Sequence, residues 1–265
     1  MIRETIEKLN SNNQKVLSIY LTAGYPKVDS FVDLVCKVYD AGADLIELGI
    51  PFSDPLADGP VIQKASEAAL ANGVSLSSAL EITAKIKERV DKPIILMGYA
   101  NPIMRYGIDK FVSDAKEAKV DGLIVPDIPL EEYEDFFTDK FKDFEIVLLT
   151  TPTSDKDRIK KIDELSSGFV YCVSVTGTTG VRNKFGDEVK QNLERTYNII
   201  SKNKMMLGFG ISSPDNIREY KNYTDGFIVG SAVVKNLAND NPDYSYTFDF
   251  INKLSKACIE PNHEQ

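Results

Sequence analysis

The sequence predicts an α/β chain folded as a single (β/α)8 (TIM) barrel with an extra N-terminal helix, on three observations. Short apolar segments alternate with amphipathic helical stretches along the whole chain. Eight such pairs fit within 265 residues, the span of one closed barrel better than of an open doubly wound sheet. No linker, low-complexity stretch or shift of composition divides the chain, so 1–265 is expected to be one barrel domain.

In chain order, Ile2, Ile6 and Leu9 fall at helical spacing, predicting a short helix within 1–12 ahead of the first strand. Strands are expected at 16–21, 44–49, 93–98, 122–125, 146–149, 169–173, 206–208 and 226–229. Their apolar runs suit parallel strands buried on both faces. Helical patterns lie near 29–41, 75–89, 108–119, 130–140, 155–166, 186–202, 213–221 and 246–258. Ser213-Pro214 is a helix start, a hydroxyl that satisfies a free N–H followed by proline at the first helical position. Alternation of strand and helix implies right-handed crossovers and a parallel sheet. A polar tail, 259–265, ends the chain.

Composition narrows the function. There are 31 basic and 40 acidic residues, a net charge of -9, and no stripe of Lys or Arg. That argues against nucleic acid and against an anionic membrane surface. No apolar run approaches the ~18 residues of a membrane span, and Met1-Ile2-Arg3-Glu4 does not begin a signal peptide. Cys36, Cys172 and Cys258 are far apart, so neither a disulfide framework nor a zinc site is indicated. Cys36 and Cys172 read as small core hydrophobes. The expected location is the cytoplasm. The single histidine, His263, lies in the tail, which excludes a His-ligated metal and any histidine base or Ser-His pair. No metal is expected. Chemistry must rest on carboxylates, Tyr, Lys, Cys or backbone dipoles.

The stretch 45–61, L-I-E-L-G-I-P-F-S-D-P-L-A-D-G-P-V, supplies two carboxylates. By strand alternation Glu47 shares a face with Ala43, Leu45 and Gly49, while Ile46 and Leu48 point the other way. A carboxyl among such neighbours must find a partner or shift its pKa. Beyond the strand, Asp54 and Asp58 fall on a loop where nothing apolar is expected to hide them. Two roles fit this stretch: proton chemistry at the strand's C-terminal end, or a Glu47 tied to a backbone donor and an Asp58 in a turn before Gly59-Pro60.

In a barrel the active site is built by the loops after the strands. The last three of these loops are rich in Gly, Ser and Thr. Gly210, Gly230 and Ser231 fit a backbone phosphate site, with Ser231-Ala-Val-Val-Lys opening a helix aimed at the anion. The competing role for these glycines is simple strand-end turns. Tyr20, Met97, Ile124, Tyr171 and Phe209 fall at the upper ends of strands. They fit ordinary barrel filling, or a ring suited to a flat apolar moiety with a phosphate tail. Gly177, Gly180 and Gly186 give the loop 174–186 the pliancy of a lid.

The segments Y-L-T-A-G-Y-P (20–26), E-L-G-I-P-F-S-D-P-L-A-D-G-P (47–60), M-G-Y-A-N-P (97–102), V-P-D-I-P-L-E-E (125–132), V-S-V-T-G-T-T-G (173–180), G-F-G-I-S (208–212) and G-S-A-V-V-K (230–235) together resemble the tryptophan synthase alpha chain family. The resemblance spans nearly the whole chain, and its 47–60 block is highly specific. It implies a (β/α)8 barrel that cleaves indole-3-glycerol phosphate to indole and glyceraldehyde 3-phosphate. It implies Glu47 and Asp58 as the catalytic pair, and phosphate contacts at Gly180, Gly210, Gly230 and Ser231. It also implies an indole pocket of Tyr20, Met97, Ile124, Tyr171 and Phe209, with Thr179 closing the lid onto the catalytic aspartate. No cofactor is implied in this chain; pyridoxal phosphate belongs to a partner beta chain. The implied assembly is an alpha-beta-beta-alpha tetramer, with Asp54, Pro55, Asn101, Arg105 and Pro129 facing the partner. Tyr20, where some members carry Phe, and Thr178, where others carry Val, are the departures noted.

The implied chemistry agrees with the residue inventory. A retro-aldol cleavage must stabilise the electron pair of the breaking bond, by a lysine Schiff base or a metal in other aldolases. No lysine stands at a strand end here. An indole protonated at C3 is its own electron sink, so Glu47 need only protonate C3 and take the proton of the adjacent glycerol hydroxyl, in either order. Asp58 would stabilise charge at the indole N–H. Two other classes stay open on sequence: a sugar-phosphate isomerase or decarboxylase barrel, and a non-catalytic barrel that activates a partner. The first requires a strand-end Lys or a catalytic Cys, and neither is present; intact Glu47, Asp58 and Thr179 weigh against the second.

Overall fold

The computed structural model describes residues 1–173, 187–208 and 210–259. The expected lid with Thr179 and Gly180, the pocket residue Phe209, and the tail past 259 lie outside the described residues.

The apolar segments form strands β1 (Val16–Thr22), β2 (Leu45–Gly49), β3 (Ile94–Met97), β4 (Gly122–Ile124), β5 (Glu145–Ile146), β6 (Leu148–Thr150), β7 (Phe169–Val173), β8 (Lys204–Gly208) and β9 (Gly226–Val229). All pair in parallel, in the order β5-β4-β3-β2-β1-β9-β8-β7-β6. The expected fifth strand, 146–149, is thus divided at Val147. Its first half pairs with β4 and its second with β7. Only one residue separates the halves, so the two ends of the order meet and the sheet closes into a barrel. A short strand in a sheared barrel cannot ladder with both neighbours at one height, and the division follows from that stagger.

Side chains sort by alternation into two layers. Val16, Tyr20, Leu45, Ile95, Met97, Ile124, Val147, Phe169, Tyr171, Met206 and Ile228 fill the interior. Ile19, Ile46, Leu48, Leu96, Val170, Cys172, Leu207 and Phe227 pack outward against the helices. Ala43, expected on the inner face, lies in the outer layer. Ala43 lies ahead of β2, which begins at Leu45, so strand alternation does not set its direction.

The N-terminal helix, Ile2–Ser11, closes the end of the barrel where strands start. Ile2 and Ile6 are fully buried in the inner layer. Glu145, at the start of β5, accepts the N–H groups of Ile2 at 2.7 Å and Arg3 at 3.1 Å, capping the helix from across the barrel. The loops that follow the strands lie at the opposite end.

Helices at Phe31–Asp40, Leu76–Lys87, Ile108–Glu117, Lys156–Leu165, Asp187–Ile199, Pro214–Tyr220 and Ser245–Ile259 lie near their expected places. The Ser231–Asn239 helix opens at Ser231, as its sequence suggests. The helices Pro60–Ala71 and Ala100–Tyr106 occupy segments with no helical expectation. The stretch 130–140 is not one helix but two 3-10 turns flanking Tyr133–Phe136. Phe136, Phe137 and Phe141 pack ring to ring there, and that clustering bends the chain out of a regular helix. Among the described residues no helix is long and apolar enough to cross a membrane.

Candidate active site

Glu47 stands on β2 in register with Tyr20 of β1 and Ile95 of β3. Strand alternation turns it inward, and its side chain has no exposure to solvent. The Ser18 hydroxyl donates to Glu47 Oε1 at 3.1 Å. Among the described residues, Oε2 has no hydrogen-bond partner. The structural role, a backbone tether, is therefore absent among the described residues. Burial pushes the carboxyl up to about 8, with the Ser18 hydrogen bond pulling the other way.

Asp58 departs from expectation. The loop after β2 does not leave it in water; it is 7% exposed. The loop folds back on itself, with the Asp58 N–H donating to Pro55 O at 3.2 Å and Gln63 Nε2 donating to Asp58 O at 2.9 Å. Tyr99, just past β3, holds it from the side. Its hydroxyl accepts the Ala57 N–H at 3.1 Å and its ring lies 5.3 Å from that of Phe52. Burial raises Asp58 to about 6, and a hydrogen bond from Tyr99 opposes the rise. Burial thus raises both carboxyls, Glu47 further than Asp58.

Tyr20 and Tyr171 lie in the same inner layer, close to both carboxyls. Both are buried and feel the charge of both carboxyls, which together with burial lifts them far above the ordinary phenol range. Each ring lies over a glycine of the next strand. A Cβ at Gly49 would stand 2.1 Å from the Tyr20 hydroxyl oxygen, and one at Gly208 2.3 Å from that of Tyr171. Met97 and Ile124 add apolar walls from β3 and β4.

The expected phosphate residues lie at the ends of the last strands. Gly210 follows β8 at φ +82°, a conformation that favours glycine. Gly230 and Ser231 start the nine-residue helix Ser231–Asn239. The first N–H groups of that helix have no intrahelical acceptor and point toward any anion placed there. Gly230 backs onto Tyr20, whose Cβ would lie 3.2 Å from a Cβ at 230, so the anion end of the site adjoins the aromatic end. Thr179, Gly180 and Phe209 lie outside the described residues.

On the surface, Asp54, Asn101, Arg105 and Pro129 are exposed and Pro55 is half-buried. Leu56, 86% exposed, and Met104, 61% exposed, sit on the same two segments. The loops are tied together: Tyr99 holds the loop after β2, and the Ala100 N–H donates to Asp127 Oδ1 at 3.0 Å. Ser18, Tyr99, Leu56 and Met104 were not singled out by sequence. Counting back two from Tyr20 would have turned Ser18 inward. For Tyr99 and the two exposed apolar residues no sequence signal exists, because their significance comes from neighbours on other strands.

Comparison with known proteins gives the family of the chain. The family model described as tryptophan synthase alpha chain matches residues 6–257. The tryptophan synthase alpha chain of Caldanaerobacter subterraneus subsp. tengcongensis is 44% identical over 242 residues, covering 89% of this chain and 90% of the relative. That of Petrotoga mobilis is 40% identical over 247 residues, covering 92% and 95%. Among solved structures, tryptophan synthase of Mycobacterium tuberculosis superposes with a TM-score of 0.89 at 30% identity, covering 98% of each chain. The alpha subunit from Legionella pneumophila str. Paris does so with a TM-score of 0.87 at 34% identity, covering 97% of each. The chain belongs to the tryptophan synthase alpha chain family, lyases whose alpha reaction cleaves indole-3-glycerol phosphate to indole and glyceraldehyde 3-phosphate in tryptophan biosynthesis.

Proposed function

We propose that Glu47 and Asp58 carry out this cleavage in the present chain. The observation behind the assignment is that Glu47 and Asp58 are both buried beside Tyr20 and Tyr171, where burial raises the first to about 8 and the second to about 6. Two carboxyls driven apart by their surroundings take the acid and the anionic role respectively. Near neutral pH Glu47 holds its proton, and it donates that proton to indole C3. The ring becomes an iminium cation, and Asp58, ionised, accepts a hydrogen bond from the indole N–H and stabilises the charge. The Glu47 carboxylate then removes the proton of the adjacent glycerol hydroxyl. The carbonyl forms, the bond to C3 breaks, and its electron pair restores the aromatic ring. Glu47 ends protonated, ready for the next turnover.

Tyr20, Met97, Ile124 and Tyr171, with Phe209, form the indole pocket in this reading. Gly210, Gly230 and Ser231, with Gly180, hold the phosphate, and Thr179 closes the lid onto Asp58. The adjacency of Gly230 to Tyr20 supports a ligand with an aromatic head and an anionic tail. No cofactor takes part in this chain.

The partner is a beta chain carrying pyridoxal phosphate, in an alpha-beta-beta-alpha tetramer. Asp54, Pro55, Asn101, Arg105 and Pro129 face it. Exposed Leu56 and Met104 support this, as does a surface groove lined by Phe52, Asp54, Pro55, Leu56, Gln63 and Glu67. The loop that would touch the partner also carries Asp58, and Tyr99 ties it to the neighbouring loop, so docking can act on catalysis through that contact. Three buried free cysteines suit a reducing cytoplasm.

Release of indole from indole-3-glycerol phosphate by the purified chain, with and without a beta chain, tests the assignment. Activity that rises on adding the beta chain is the expected result; no release under either condition overturns it. The pH profile tests the roles. The value of kcat/KM should rise through about 6 as Asp58 ionises and fall through about 8 as Glu47 loses its proton. A profile still level well above pH 9 would remove Glu47 as the initial acid.

A further inference from the structure

Ser18 lies one inward position below Tyr20 on β1, in register with Leu45, the residue two before Glu47. It is fully buried, and its hydroxyl donates to Glu47 Oε1 at 3.1 Å. The other carboxyl oxygen, Oε2, is buried and has no partner among the described residues. We propose that Ser18 is a positioning residue, which fixes Glu47 Oε1 as the accepting oxygen and so keeps the acidic proton on Oε2, facing the substrate.

The argument follows from the donor inventory of a carboxylic acid. A protonated carboxyl has one hydroxyl oxygen and one carbonyl oxygen, and they exchange roles unless a neighbour distinguishes them. A hydroxyl donating to Oε1 makes Oε1 the carbonyl oxygen. The proton then resides on Oε2, the buried atom left without a partner among the described residues. The same hydrogen bond persists when Glu47 becomes the carboxylate, where a donor to a charged acceptor binds more strongly. Ser18 therefore serves both halves of the cycle: it aims the acid, then steadies the base.

Groups facing Glu47 from the other elements do not duplicate this. From β1 and β7 the titratable neighbours are Tyr20 and Tyr171, both shifted upward and neutral throughout the working range. From the loop after β2 it is Asp58, which bears on the same two phenols. Strands β3, β4 and β8 contribute Ile95, Met97, Ile124 and Met206, none of which donates a hydrogen bond. Among the described residues, Ser18 is the donor that Glu47 has.

This proposal rests on Glu47 being the acid and base, so Glu47→Gln is assayed beside it; a fully active Glu47→Gln would sink that assignment rather than the role of Ser18. In Ser18→Ala, kcat should fall about tenfold, the scale of one hydrogen bond to an ionisable group, with KM nearly unchanged. The alkaline limb of the pH profile should move to higher pH, because the lost donor favoured the charged form. Ser18→Thr, which keeps the hydroxyl, should restore both. Thermal melts confirm folding of each variant. A folded Ser18→Ala whose kcat and alkaline limb match the parent overturns the proposal. So does one whose kcat falls while the limb stays in place, since loss of packing alone would do that.

Discussion

Glu47→Gln is expected to lose turnover by at least 10²–10⁴-fold, the range of general acid–base help, while its substrate binding and fold persist. The amide is nearly the size of the carboxyl and can still accept from Ser18, so the barrel wall is unchanged. What it cannot do is release a proton to C3 and recover one from the glycerol hydroxyl. Both proton transfers fail together, and for that reason the loss should sit in kcat rather than KM.

The same substitution should make the protein more stable at alkaline pH. In the unfolded chain this carboxyl ionises near its ordinary value of 4.5, while in the fold burial holds it at about 8. Between those values the native state keeps a proton that the unfolded state has lost, so stability falls as pH rises through that window. The gap corresponds to roughly 5 kcal/mol at full extent. Glu47→Gln has no proton to lose. Urea unfolding at pH 5 and pH 9 should show the variant's advantage small at the first and large at the second. An advantage that does not change with pH would mean the carboxyl is not held neutral by burial, and the acid-first order would fall with it.

Asp58→Asn is expected to cost about 10²–10³-fold in kcat, comparable with removing one preorganised electrostatic contact at a developing charge. The neutral amide can occupy the same place, held by the same loop contacts to Pro55, Gln63 and Tyr99. It offers no negative charge to the iminium nitrogen. Because Asp58 is 7% exposed, water cannot substitute for that charge. The acid limb near pH 6 should vanish from kcat/KM, leaving only the alkaline limb. A residual rate near that of the parent, or a complex with no carboxylate by the indole nitrogen, would assign the stabilising charge elsewhere.

Much of this protein could be read from its residues one segment at a time. The period of two along β2 turned Glu47 inward and sent Ile46 and Leu48 to the helices, as found. The alternation of strand and helix predicted a parallel barrel, and that is the fold observed. Such features depend on local pattern, and local pattern survives in a linear sequence.

Other features required the closed barrel. That Asp58 is buried depends on Tyr99, whose contact with the loop at Ala57 joins positions 42 apart. The interruption at Val147 reflects shear across the seam between β4 and β7, to which no single strand testifies. Glu47 could be seen to need a partner, but the choice of Ser18 waited on the register between β1 and β2. By itself, then, the sequence determined which side chains of the strands face inward and which face the helices. The tertiary structure decided which of them meet and how far each carboxyl is removed from water, because desolvation and hydrogen-bond geometry belong to the packed arrangement and not to any one stretch of chain.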